Sequence, residues 1–345
     1  MTVRVAINGF GRIGRNFLRA VQAQRQHGDS DVEIVGVNDL AANDILAHFL
    51  RYDSILGRYP GHIESDESSL TVDGTKIHAS AERDPAALAW GDIGADIVIE
   101  STGLFTKAAD AQKHIDAGAK KVIISAPATD EDITIVMGIN DGDYDPANHH
   151  VISNASCTTN CLGPMAKVLL DNWGIEKGFM TTVHAYTTEQ QLLDQISLNR
   201  KGEINLRRAR GGATSIIPTT TGAAKAISLV LPELKGKLDG YALRVPVPTG
   251  SVTDLTVTLG ADVTKDEVNA AFKAASESGP LSPYLEYTED EIVSADIVTW
   301  PASCTLDAGL TLANGNQVKV VGWYDNEWGY SNRLIDLSAL VGSSL

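Results

Sequence analysis

The sequence predicts an α/β protein in which a doubly wound parallel sheet is followed by an α+β domain with a mostly antiparallel sheet. Its 345 residues indicate two domains, because an average domain has roughly 150 residues. In the first half, short β-branched runs alternate with helical stretches, as in a parallel sheet with crossover helices. Later strands alternate apolar and polar residues, which is typical of antiparallel sheets with one covered face.

The elements of the first half follow from brief apolar runs. A strand at 3–7 leads through a glycine-rich turn into a helix, because Ile13, Phe17, Leu18 and Val21 fall on one helical face. Further strands are predicted at residues 33–38, 96–100, 121–125 and 133–137.

After about residue 150, the short β-branched runs give way to segments that alternate apolar and polar residues. Strands are predicted at residues 181–184, 241–245, 255–259 and 316–321, with antiparallel pairing. A helix opens at Thr264 with Glu267 as its capping-box partner, and its apolar face carries Val268, Ala271, Phe272 and Ala275. A last helix begins near Glu327, with Leu334, Leu337 and Leu340 roughly aligned.

The composition excludes several classes of protein. Hydrophobic residues make up 43% of the chain, which is enough for a sizeable core and excludes wholesale disorder. The net charge of −16 opposes binding to phosphate backbones and anionic membranes, so we expect neither a nucleic-acid partner nor a membrane partner. Three cysteines, an odd number, and the lack of a leader peptide predict a cytoplasmic protein.

A dinucleotide-binding motif follows the first strand. Gly9, Gly11 and Gly14 form a G-x-G-x-x-G turn that opens a helix, where backbone N–H groups and the helix N-terminus bind a pyrophosphate. Asp39 follows the second strand and can accept hydrogen bonds from a ribose, while its charge repels a 2′-phosphate. The motif therefore predicts NAD as the cofactor, and a glycine turn needed only for packing is the alternative.

A candidate nucleophile lies where a strand gives way to a helix predicted at 163–170. Cys157 is placed at a helix N-terminus, which lowers the pKa of a thiol. Cys161, one turn later, is interpreted as a buried structural thiol, and Cys304 as a packing residue. The C-x-x-x-C spacing also allows a disulfide or a metal, but His149 and its neighbour lack partners at ligand spacing, so no metal is predicted.

One histidine stands apart from the others. His27, His62 and His114 lie among polar residues and are predicted at the surface. His184 ends a strand with small and polar neighbours, so its side chain can project toward a cleft. From the residues alone, a structural histidine remains the more frequent alternative, because the sequence does not place His184 beside Cys157.

Five separated motifs in order resemble one enzyme family, the phosphorylating glyceraldehyde-3-phosphate dehydrogenases, over essentially the whole chain. They are Asn8-Gly-Phe-Gly-Arg-Ile-Gly14, Ala155-Ser-Cys-Thr-Thr-Asn-Cys161, Val183-His-Ala-Tyr-Thr187, Thr220-Thr-Gly-Ala-Ala-Lys225 and Trp323-Tyr-Asp-Asn-Glu-Trp-Gly-Tyr-Ser331. The resemblance implies a Rossmann-type NAD-binding domain at 1–156, to which the helix at 326–345 returns, and a catalytic domain at 157–325.

The resemblance also implies an activity. The Cys157 thiolate attacks D-glyceraldehyde 3-phosphate to give a thiohemiacetal, and His184 removes the hydroxyl proton as hydride leaves for NAD. Inorganic phosphate then attacks the thioester and releases 1,3-bisphosphoglycerate, as in glycolysis. Protonated His184 and the backbone N–H of Cys157 stabilise the oxyanion. A homotetramer is implied as well.

Site residues are carried over position by position. The implied cofactor contacts, besides the three glycines and Asp39, are Arg12, Ile13, Thr102, Ser125, Asn326 and Tyr330. The residues implied to bind the substrate phosphate are Thr187, Arg208 and Arg244. Those implied to surround the attacking phosphate are Ser156, Thr158, Thr221 and Gly222. Arg207 and Arg210 lack individual matches and can equally form surface ion pairs.

Two departures from the family pattern concern the segment that follows Thr187. Glu189 stands where the family usually has aspartate, so a contact that orients an arginine is expected to lengthen. The loop at 190–206 is longer than usual, which bears on NAD selectivity and tetramer geometry.

Two other functions remain open. One is erythrose-4-phosphate dehydrogenase, which shares the Cys and His motifs and releases its acyl group to water. Thr187, Thr221 and Gly222 favour the phosphorylating enzyme because they preserve donors for both phosphates. The other is an NAD-binding redox sensor in which Cys157 is oxidised without turnover.

Overall fold

The computed structural model describes residues 2–196 and 204–345. They divide into two compact units. The first comprises Met1–Ile135, Asp141–Ser156 and Ser331–Leu345, and the second comprises Val136–Asn140 and Cys157–Tyr330. The boundaries between the NAD-binding domain and the catalytic domain, expected at 156/157 and 325/326, stay a prediction.

The first unit contains eleven strands and three α-helices in its described part. The strands are β1 (Val3–Asn8), β2 (Val32–Asn38), β3 (Tyr52–Asp53), β4 (Gly57–Arg58), β5 (Ile63–Ser65), β6 (Ser69–Val72), β7 (Thr75–Ser80), β8 (Ile97–Glu100), β9 (Lys121–Ile124), β10 (Ile133–Thr134) and β11 (Val151–Ser153). The helices are α1 (Arg12–His27), α2 (Asn43–Arg51) and α3 (Ala108–Asp116), with 3₁₀ turns at Pro85–Ala87 and Asp141–Asp143.

The main sheet of this unit is parallel over most of its width. Its strand order is β10-β11-β9-β8-β1-β2-β7-β6-β5, and only the pairs β7–β6 and β6–β5 are antiparallel. The order runs outward in opposite directions from the neighbours β1 and β8, which makes that pair the topological switch point where α/β sheets bind ligands. The predicted parallel-rich α/β fold is confirmed.

Apolar strands and helix faces form the core of the first unit. All residues of β8 and β9 are buried, as expected for strands covered on both faces. Helix α1 buries Phe17, Leu18 and Val21, and it ends at Gly28, whose φ of 77° suits the left-handed cap. The strand expected at 133–137 is shorter than predicted, since β10 ends at Thr134.

The second unit begins with a long helix and continues with a second sheet. Its strands are β12 (Ile175–Ala185), β13 (Ile217–Thr220), β14 (Leu238–Val245), β15 (Ser251–Leu259), β16 (Leu285–Thr288), β17 (Cys304–Asp307), β18 (Leu312–Asn314) and β19 (Gln317–Tyr324). The α-helices are α4 (Cys157–Trp173), α5 (Ala223–Val230) and α6 (Lys265–Glu277), and 3₁₀ turns lie at Pro232–Leu234, Ser294–Ile297 and Ala308–Leu310. The last helix, α7 (Trp328–Gly342), begins in this unit and belongs to the first unit from Ser331 onward.

The sheet of the second unit is mostly antiparallel, as predicted, with the order β13-β14-β12-β15-β19-β17-β16 and β18 beside β19. The antiparallel pairing expected of the strands at 181–184 and 241–245 is wrong, because β12 pairs with β14 in parallel, and β16 also pairs with β17 in parallel. The parallel pair places His184 directly opposite Arg244. Alternating polarity reports one covered face and says nothing about strand direction.

Helix α4 begins earlier than the sequence predicts, whereas helix α6 begins where it was predicted. The helix expected at 163–170 is in fact α4, which begins at Cys157 and packs Leu162, Met165 and Leu169 into the core against β15, β17 and β19. The capping box of α6 is confirmed, since Thr264 accepts from the Glu267 N–H and Glu267 accepts from the Thr264 N–H. Within 2–196 and 204–345, no helix has the length and apolarity needed to cross a membrane.

Candidate active site

A backbone turn leads from the first sheet into α4 and presents Cys157. Strand β11 ends at Ser153, and Ala155 follows with a φ of 54°, a left-handed conformation that costs an alanine about 1 kcal/mol. Cys157 is then the first residue of α4. The helix N-terminus therefore lies at the thiol, as the sequence predicts, although six residues earlier than the predicted start of the helix.

His184 is brought to Cys157 by the end of β12. The Nε2 atom of His184 lies 3.4 Å from Cys157 Sγ, within hydrogen-bond distance for sulfur. His184 is 4% exposed, and Cys157 is half-buried. The structure thus brings together the two residues whose proximity the sequence alone left open.

The other ring nitrogen of His184 determines how the pair can share a proton. Nδ1 lies 2.7 Å from the carbonyl oxygen of Ala185, which accepts a hydrogen bond in the tautomer that carries its proton on Nδ1. Arg244 Nη1 also contacts Nδ1 and donates to the same carbonyl at 3.2 Å. With the proton on Nδ1, Nε2 carries a lone pair that faces the thiol and can accept its proton.

Burial and a neighbouring cation keep this imidazole neutral. Desolvation lowers the pKa of His184 to about 3, and the positive charge of Arg244 adds to that shift, while the Ala185 carbonyl opposes it. A neutral imidazole at physiological pH has the protonation state that a general base needs.

The thiol does not follow the sequence prediction of a depressed pKa. Desolvation by burial raises the pKa of Cys157, although Arg244 and the hydrogen bonds from Thr158 lower it. The expectation is corrected here, because a helix N-terminus alone does not outweigh the loss of water around the sulfur. The pair rests as thiol and neutral imidazole, so removal of the proton depends on His184.

Two arginines converge on one glutamate beside His184. Arg208 Nη1 donates to Glu189 Oε2 at 2.6 Å, and Arg244 Nη2 donates to Glu189 Oε1 at 3.3 Å. Arg208 is also held by Thr219, whose hydroxyl accepts from Nε at 2.8 Å. The expected lengthening is not found at Arg208, where the glutamate makes a short contact. The carboxylate aligns the two guanidinium groups, which suit the oxygens of a phosphate.

A glutamine that the sequence analysis did not single out organises Thr187. Gln190 Oε1 accepts from the Thr187 backbone N–H at 2.8 Å and from its hydroxyl at 3.1 Å. Among the described residues, Gln190 Nε2 and Arg244 Nε are buried donors without a hydrogen-bond partner. Unused donors beside two arginines fit an oxyanion ligand. The sequence signal for Gln190 is its position three residues after Thr187, which allows the Gln190 amide to reach the Thr187 backbone.

Hydroxyl groups surround the start of α4 and α5. The Tyr324 hydroxyl lies 3.0 Å from Thr158 Oγ1 and 2.7 Å from Thr182 Oγ1, so it links α4, β12 and β19. Thr221 Oγ1 accepts from the Ala223 N–H at 3.2 Å, and Gly222 caps α5. Ser156 is half-buried and directly precedes α4. Tyr324 belongs to the aromatic motif, but nothing in that motif indicated its role.

A polar cleft of about 330 Å³ lies at the switch point of the first unit. It is lined by Asn8, Gly9, Gly11, Asn38, Asp39, Leu40, Glu82, Arg83, Ser101, Thr102, Leu104 and Phe105. Asp39 accepts from the Phe10 N–H at 2.7 Å and from the Ala41 N–H at 3.2 Å, which fixes its carboxylate at the cleft. The lining residues come from the ends of strands β1 and β2 and from the loops that follow β1, β2, β7 and β8.

The glycines of this cleft fit a dinucleotide. A Cβ on Gly9, whose φ is 93°, would lie 2.6 Å from the Thr102 backbone nitrogen, and one on Gly14 would lie 2.3 Å from the Gly9 carbonyl oxygen. A Cβ on Gly11 would meet no protein atom within 4 Å, so it would occupy the open space in front of the α1 N-terminus. Close packing at two glycines and an open approach at the third match the uses of glycine in a pyrophosphate-binding turn.

The remaining predicted cofactor residues occupy loop or helix-start positions. Arg12, in the first turn of α1, donates to Asp53 at 2.5 Å, and Ile13 follows it half-buried. Ser125 follows β9, and its N–H donates to the Glu100 carbonyl at 3.0 Å. In the second unit, Asn326 and Tyr330 are both buried.

The Asn326 amide has a fixed orientation. The Ser251 hydroxyl accepts from the Ala185 N–H at 3.0 Å and donates to Asn326 Oδ1 at 2.8 Å. The Asn326 Nδ2 group is therefore directed away from Ser251. Such an amide can donate to an oxygen of the cofactor, in line with the cofactor contact that the resemblance implies for this residue.

The predicted long loop is partly described. Arg210 forms an exposed ion pair with Asp194 at 2.6 Å, as in the surface alternative, and Arg207 is exposed. Residues 197–203 of the loop lie outside the described residues.

Two parts of the chain match models of known protein families. Residues 3–108 match the family model described as "Glyceraldehyde 3-phosphate dehydrogenase, NAD binding domain", and residues 156–326 match "Glyceraldehyde 3-phosphate dehydrogenase, C-terminal domain". The chain belongs to the glyceraldehyde-3-phosphate dehydrogenase family. The polar cleft of the first unit lies in the part that matches the NAD-binding domain, and Cys157 and His184 lie in the part that matches the C-terminal domain.

Relatives within the glyceraldehyde-3-phosphate dehydrogenase family are similar over their whole length. The chain is 64% identical to "Glyceraldehyde-3-phosphate dehydrogenase" of Streptomyces coelicolor, with 100% of both chains covered. It is 61% identical to "Glyceraldehyde-3-phosphate dehydrogenase 2" of Streptomyces avermitilis and 63% identical to "Glyceraldehyde-3-phosphate dehydrogenase" of Mycobacterium tuberculosis, again with 100% of both chains covered. The predicted family and the predicted cofactor NAD are confirmed.

Proposed function

We propose that this NAD-dependent phosphorylating dehydrogenase oxidises D-glyceraldehyde 3-phosphate through a covalent adduct on Cys157, with His184 as the base. The observation that carries the assignment of these two residues is the 3.4 Å approach of His184 Nε2 to Cys157 Sγ. The Ala185 carbonyl holds the imidazole in the orientation that directs its lone pair at the thiol.

In the first step, the thiol adds to the aldehyde. His184 Nε2 accepts the Sγ proton while Sγ forms a bond to the carbonyl carbon, and the carbonyl oxygen takes the proton to give a thiohemiacetal. The α4 N-terminus and the imidazolium stabilise the negative charge that develops on that oxygen.

In the second step, the thiohemiacetal is oxidised. NAD, when bound, accepts a hydride. His184 Nε2 removes the hydroxyl proton, the C–O bond becomes a carbonyl, and Cys157 is left as a thioester. His184 holds no proton at physiological pH, so its Nε2 lone pair is free to accept this one.

In the third step, an oxygen of inorganic phosphate attacks the thioester carbon. The C–S bond breaks, Sγ leaves as a thiolate and takes back the proton that His184 Nε2 removed in the second step, and 1,3-bisphosphoglycerate is released. We place the attacking phosphate among Ser156, Thr158, Thr221 and Gly222, whose hydroxyl and backbone donors add no charge to the cleft.

Substrate phosphate is assigned to Arg208, Arg244 and Thr187. Support comes from the alignment of both guanidinium groups by Glu189 and from the buried unpartnered Nε of Arg244. Since the chain carries a net charge of −16, the two arginines must provide a local positive site for the substrate.

NAD is preferred over NADP in this proposal because Asp39 faces the cofactor cleft. Its carboxylate accepts hydrogen bonds from Phe10 and Ala41 and stays available to a ribose, whereas a 2′-phosphate would meet its negative charge.

A cytoplasmic homotetramer completes the proposal. The described parts of the long loop expose apolar side chains, with Leu192, Leu193 and Leu206 more than three-quarters exposed. Apolar side chains gathered on one loop favour a subunit contact. Light scattering coupled to size-exclusion chromatography tests the assembly, and a monomeric mass would contradict it.

One assay tests the proposed reaction against its alternatives. NADH formation is followed with glyceraldehyde 3-phosphate, with and without inorganic phosphate or arsenate. We expect steady turnover only with phosphate or arsenate. Phosphate-independent turnover on erythrose 4-phosphate would instead identify the other dehydrogenase, and NAD binding without any NADH formation would identify a redox sensor.

A further inference from the structure

Three parallel strands of the first unit end in side chains that bind one another. Asn8 ends β1, Asn38 ends β2 and Glu100 ends β8. Asn8 Nδ2 donates to Glu100 Oε2 at 2.6 Å, and Asn38 Nδ2 donates to Asn8 Oδ1 at 2.8 Å. This Glu100 network lies at the switch point of the sheet, and its members Asn8 and Asn38 also line the cofactor cleft.

The carboxylate of Glu100 is surrounded by donors. Its Oε2 accepts from Asn8 and from His114 Nε2 at 3.0 Å, and its Oε1 accepts from the Thr102 N–H at 2.8 Å and the Thr102 hydroxyl at 2.5 Å. Glu100 is 1% exposed and His114 is 0% exposed. The prediction that His114 is a surface residue is therefore wrong.

One end of the network has a fixed hydrogen-bond direction because of Trp90. Its indole N–H, which can only donate, lies 3.0 Å from His114 Nδ1. Nδ1 must therefore present a lone pair, and the ring proton must be on Nε2, facing Glu100. His114 is a neutral donor in this arrangement, since a second ring proton would point at the Trp90 N–H.

The backbone of Glu82 fixes the direction of the hydrogen bonds at the Asn38 end of the network. Asn38 Oδ1 accepts from the Glu82 N–H at 2.8 Å, and Asn38 Nδ2 donates to the Glu82 carbonyl at 2.9 Å. The Asn38 amide cannot turn over without losing both bonds, so Asn8 Oδ1 must accept and Asn8 Nδ2 must donate. Asn8 Nδ2, His114 Nε2 and the Thr102 N–H thus all donate to Glu100, and both of its carboxylate oxygens accept.

The network controls the position of the loop that follows β8. Glu100 holds both the backbone and the hydroxyl of Thr102, and the Thr102 backbone lies against Gly9, where a Cβ would come within 2.6 Å of its nitrogen. Gly9 belongs to the pyrophosphate-binding turn. The Gly9 turn and the Thr102 loop are therefore joined both through the Glu100 carboxylate and directly, since the Ser101 hydroxyl donates to the Gly9 carbonyl at 2.6 Å.

We propose that Glu100 is a positioning residue for NAD, which sets the Thr102 loop against the Gly9 turn, and that Trp90 and His114 maintain it as an acceptor. The proposal rests on the proposed function only for the identity of the cofactor. Glu100 itself touches no substrate in this role, and it acts through Thr102 and Asn8.

The substitution Glu100→Gln tests the proposal while preserving side-chain shape. Its amide group must face either Thr102 or the Asn8 and His114 donors, because neither end of the network can reverse. We expect the dissociation constant for NAD, and for ADP-ribose, to rise about tenfold or more, as for the loss of one or two buried hydrogen bonds. At saturating NAD, kcat should stay within about twofold of the wild-type value, since Cys157 and His184 are unchanged.

A pair of variants at His114 supplies a rescue that does not depend on Glu100→Gln. Glutamine can donate to Glu100 and accept from Trp90, whereas leucine can do neither. We expect His114→Leu to raise the dissociation constant for NAD and His114→Gln to restore most of the affinity. Equal affinities for NAD in both variants would contradict the donor role of His114.

A matched control is Glu131→Gln, which removes a carboxylate of the same unit that accepts from Thr134 at 2.5 Å and does not line the cleft. Its NAD affinity should equal that of wild type. If Glu100→Gln lowers the melting temperature but leaves NAD affinity unchanged, the residue is only structural and the proposal is overturned. If the wild-type chain binds NAD but forms no NADH, the proposed function fails, and the binding test of Glu100 still decides this inference.

Discussion

At the residue scale, the chemistry depends on a histidine that is held without charge. His184 is buried beside Arg244, and both effects lower its pKa to about 3. The same burial raises the pKa of the Cys157 thiol, so neither partner is ionised before substrate binds. Reaction then requires transfer of the thiol proton across 3.4 Å to Nε2.

Replacement of His184 with asparagine tests that transfer. Asparagine keeps a polar group at the end of β12 but has no basic nitrogen, so we expect kcat with glyceraldehyde 3-phosphate to fall about 10²-fold or more. Stopped-flow measurement of NADH formation gives the acylation rate directly. Wild-type acylation in a folded His184→Asn enzyme would contradict the assignment.

The depressed pKa of His184 also has a consequence for stability. Unfolded histidine titrates near 6.5, so below that pH the unfolded chain binds a proton that the folded chain does not bind until about pH 3. The free energy of unfolding must therefore fall with decreasing pH in this window. Between about pH 7.5 and about pH 5, this contribution amounts to about 2 kcal/mol.

The variant His184→Asn should lack that pH-dependent loss of stability. Chemical denaturation of both proteins at the two pH values measures the difference. His27→Asn removes an exposed histidine and should behave like wild type. Equal pH dependence in wild type and His184→Asn would show that His184 is not buried in its neutral form.

At the scale of elements, the loops after β1, β2 and β8 build the cofactor site, and the sequence predicted only part of it. The glycine pattern and Asp39 were visible because their spacing follows from the backbone of a single βαβ unit. The Glu100 network was not, because Glu100, His114 and Trp90 are distant along the chain, and local polarity made His114 resemble a surface residue. Buried polar networks satisfy hydrogen bonds between elements, which no local pattern records.

Strand direction in the second unit has a similar explanation. The alternating polarity of β12 and β14 correctly predicted a sheet with one covered face, yet the two strands are parallel. The chain between them passes through β13 and α5, and this crossover sets their direction. The start of α4 was missed because the residues after Cys157 are small and polar, although their side chains are buried in the structure.

Two glycine substitutions compare the elements of the cofactor turn. Gly9→Ala should abolish NAD binding and lower stability, because its Cβ would meet the Thr102 backbone at 2.6 Å and its φ is 93°. Gly11→Ala should leave stability nearly unchanged, since its Cβ meets no atom within 4 Å. Isothermal titration with NAD and thermal unfolding give both values.

The outcome for Gly11→Ala decides where the cofactor approaches. A reduced affinity for NAD in a fully stable protein indicates that the pyrophosphate comes close to the backbone at this position. Unchanged affinity for NAD would contradict the placement of the pyrophosphate at the α1 N-terminus.

At the scale of the whole molecule, a strongly acidic chain must bind two phosphates. The net charge of −16 argues against an anionic polymer as partner, but it does not describe the active site. Arg208, Arg244 and the helix N-termini of α4 and α5 provide positive potential locally, while Glu189 fixes both arginines. The net charge of the chain and the local charge of the active site thus have opposite signs, and only the structure shows this difference.

The most direct test of covalent catalysis by Cys157 is rapid mixing of the enzyme with NAD and glyceraldehyde 3-phosphate in the absence of phosphate. We expect a burst of one NADH per active subunit, followed by a slow phase that phosphate or arsenate converts into steady turnover. Cys157→Ser should abolish the burst, and Cys161→Ala, one helical turn away, should retain it. A burst that persists in Cys157→Ser, or rapid turnover without phosphate, would contradict a thioester on Cys157.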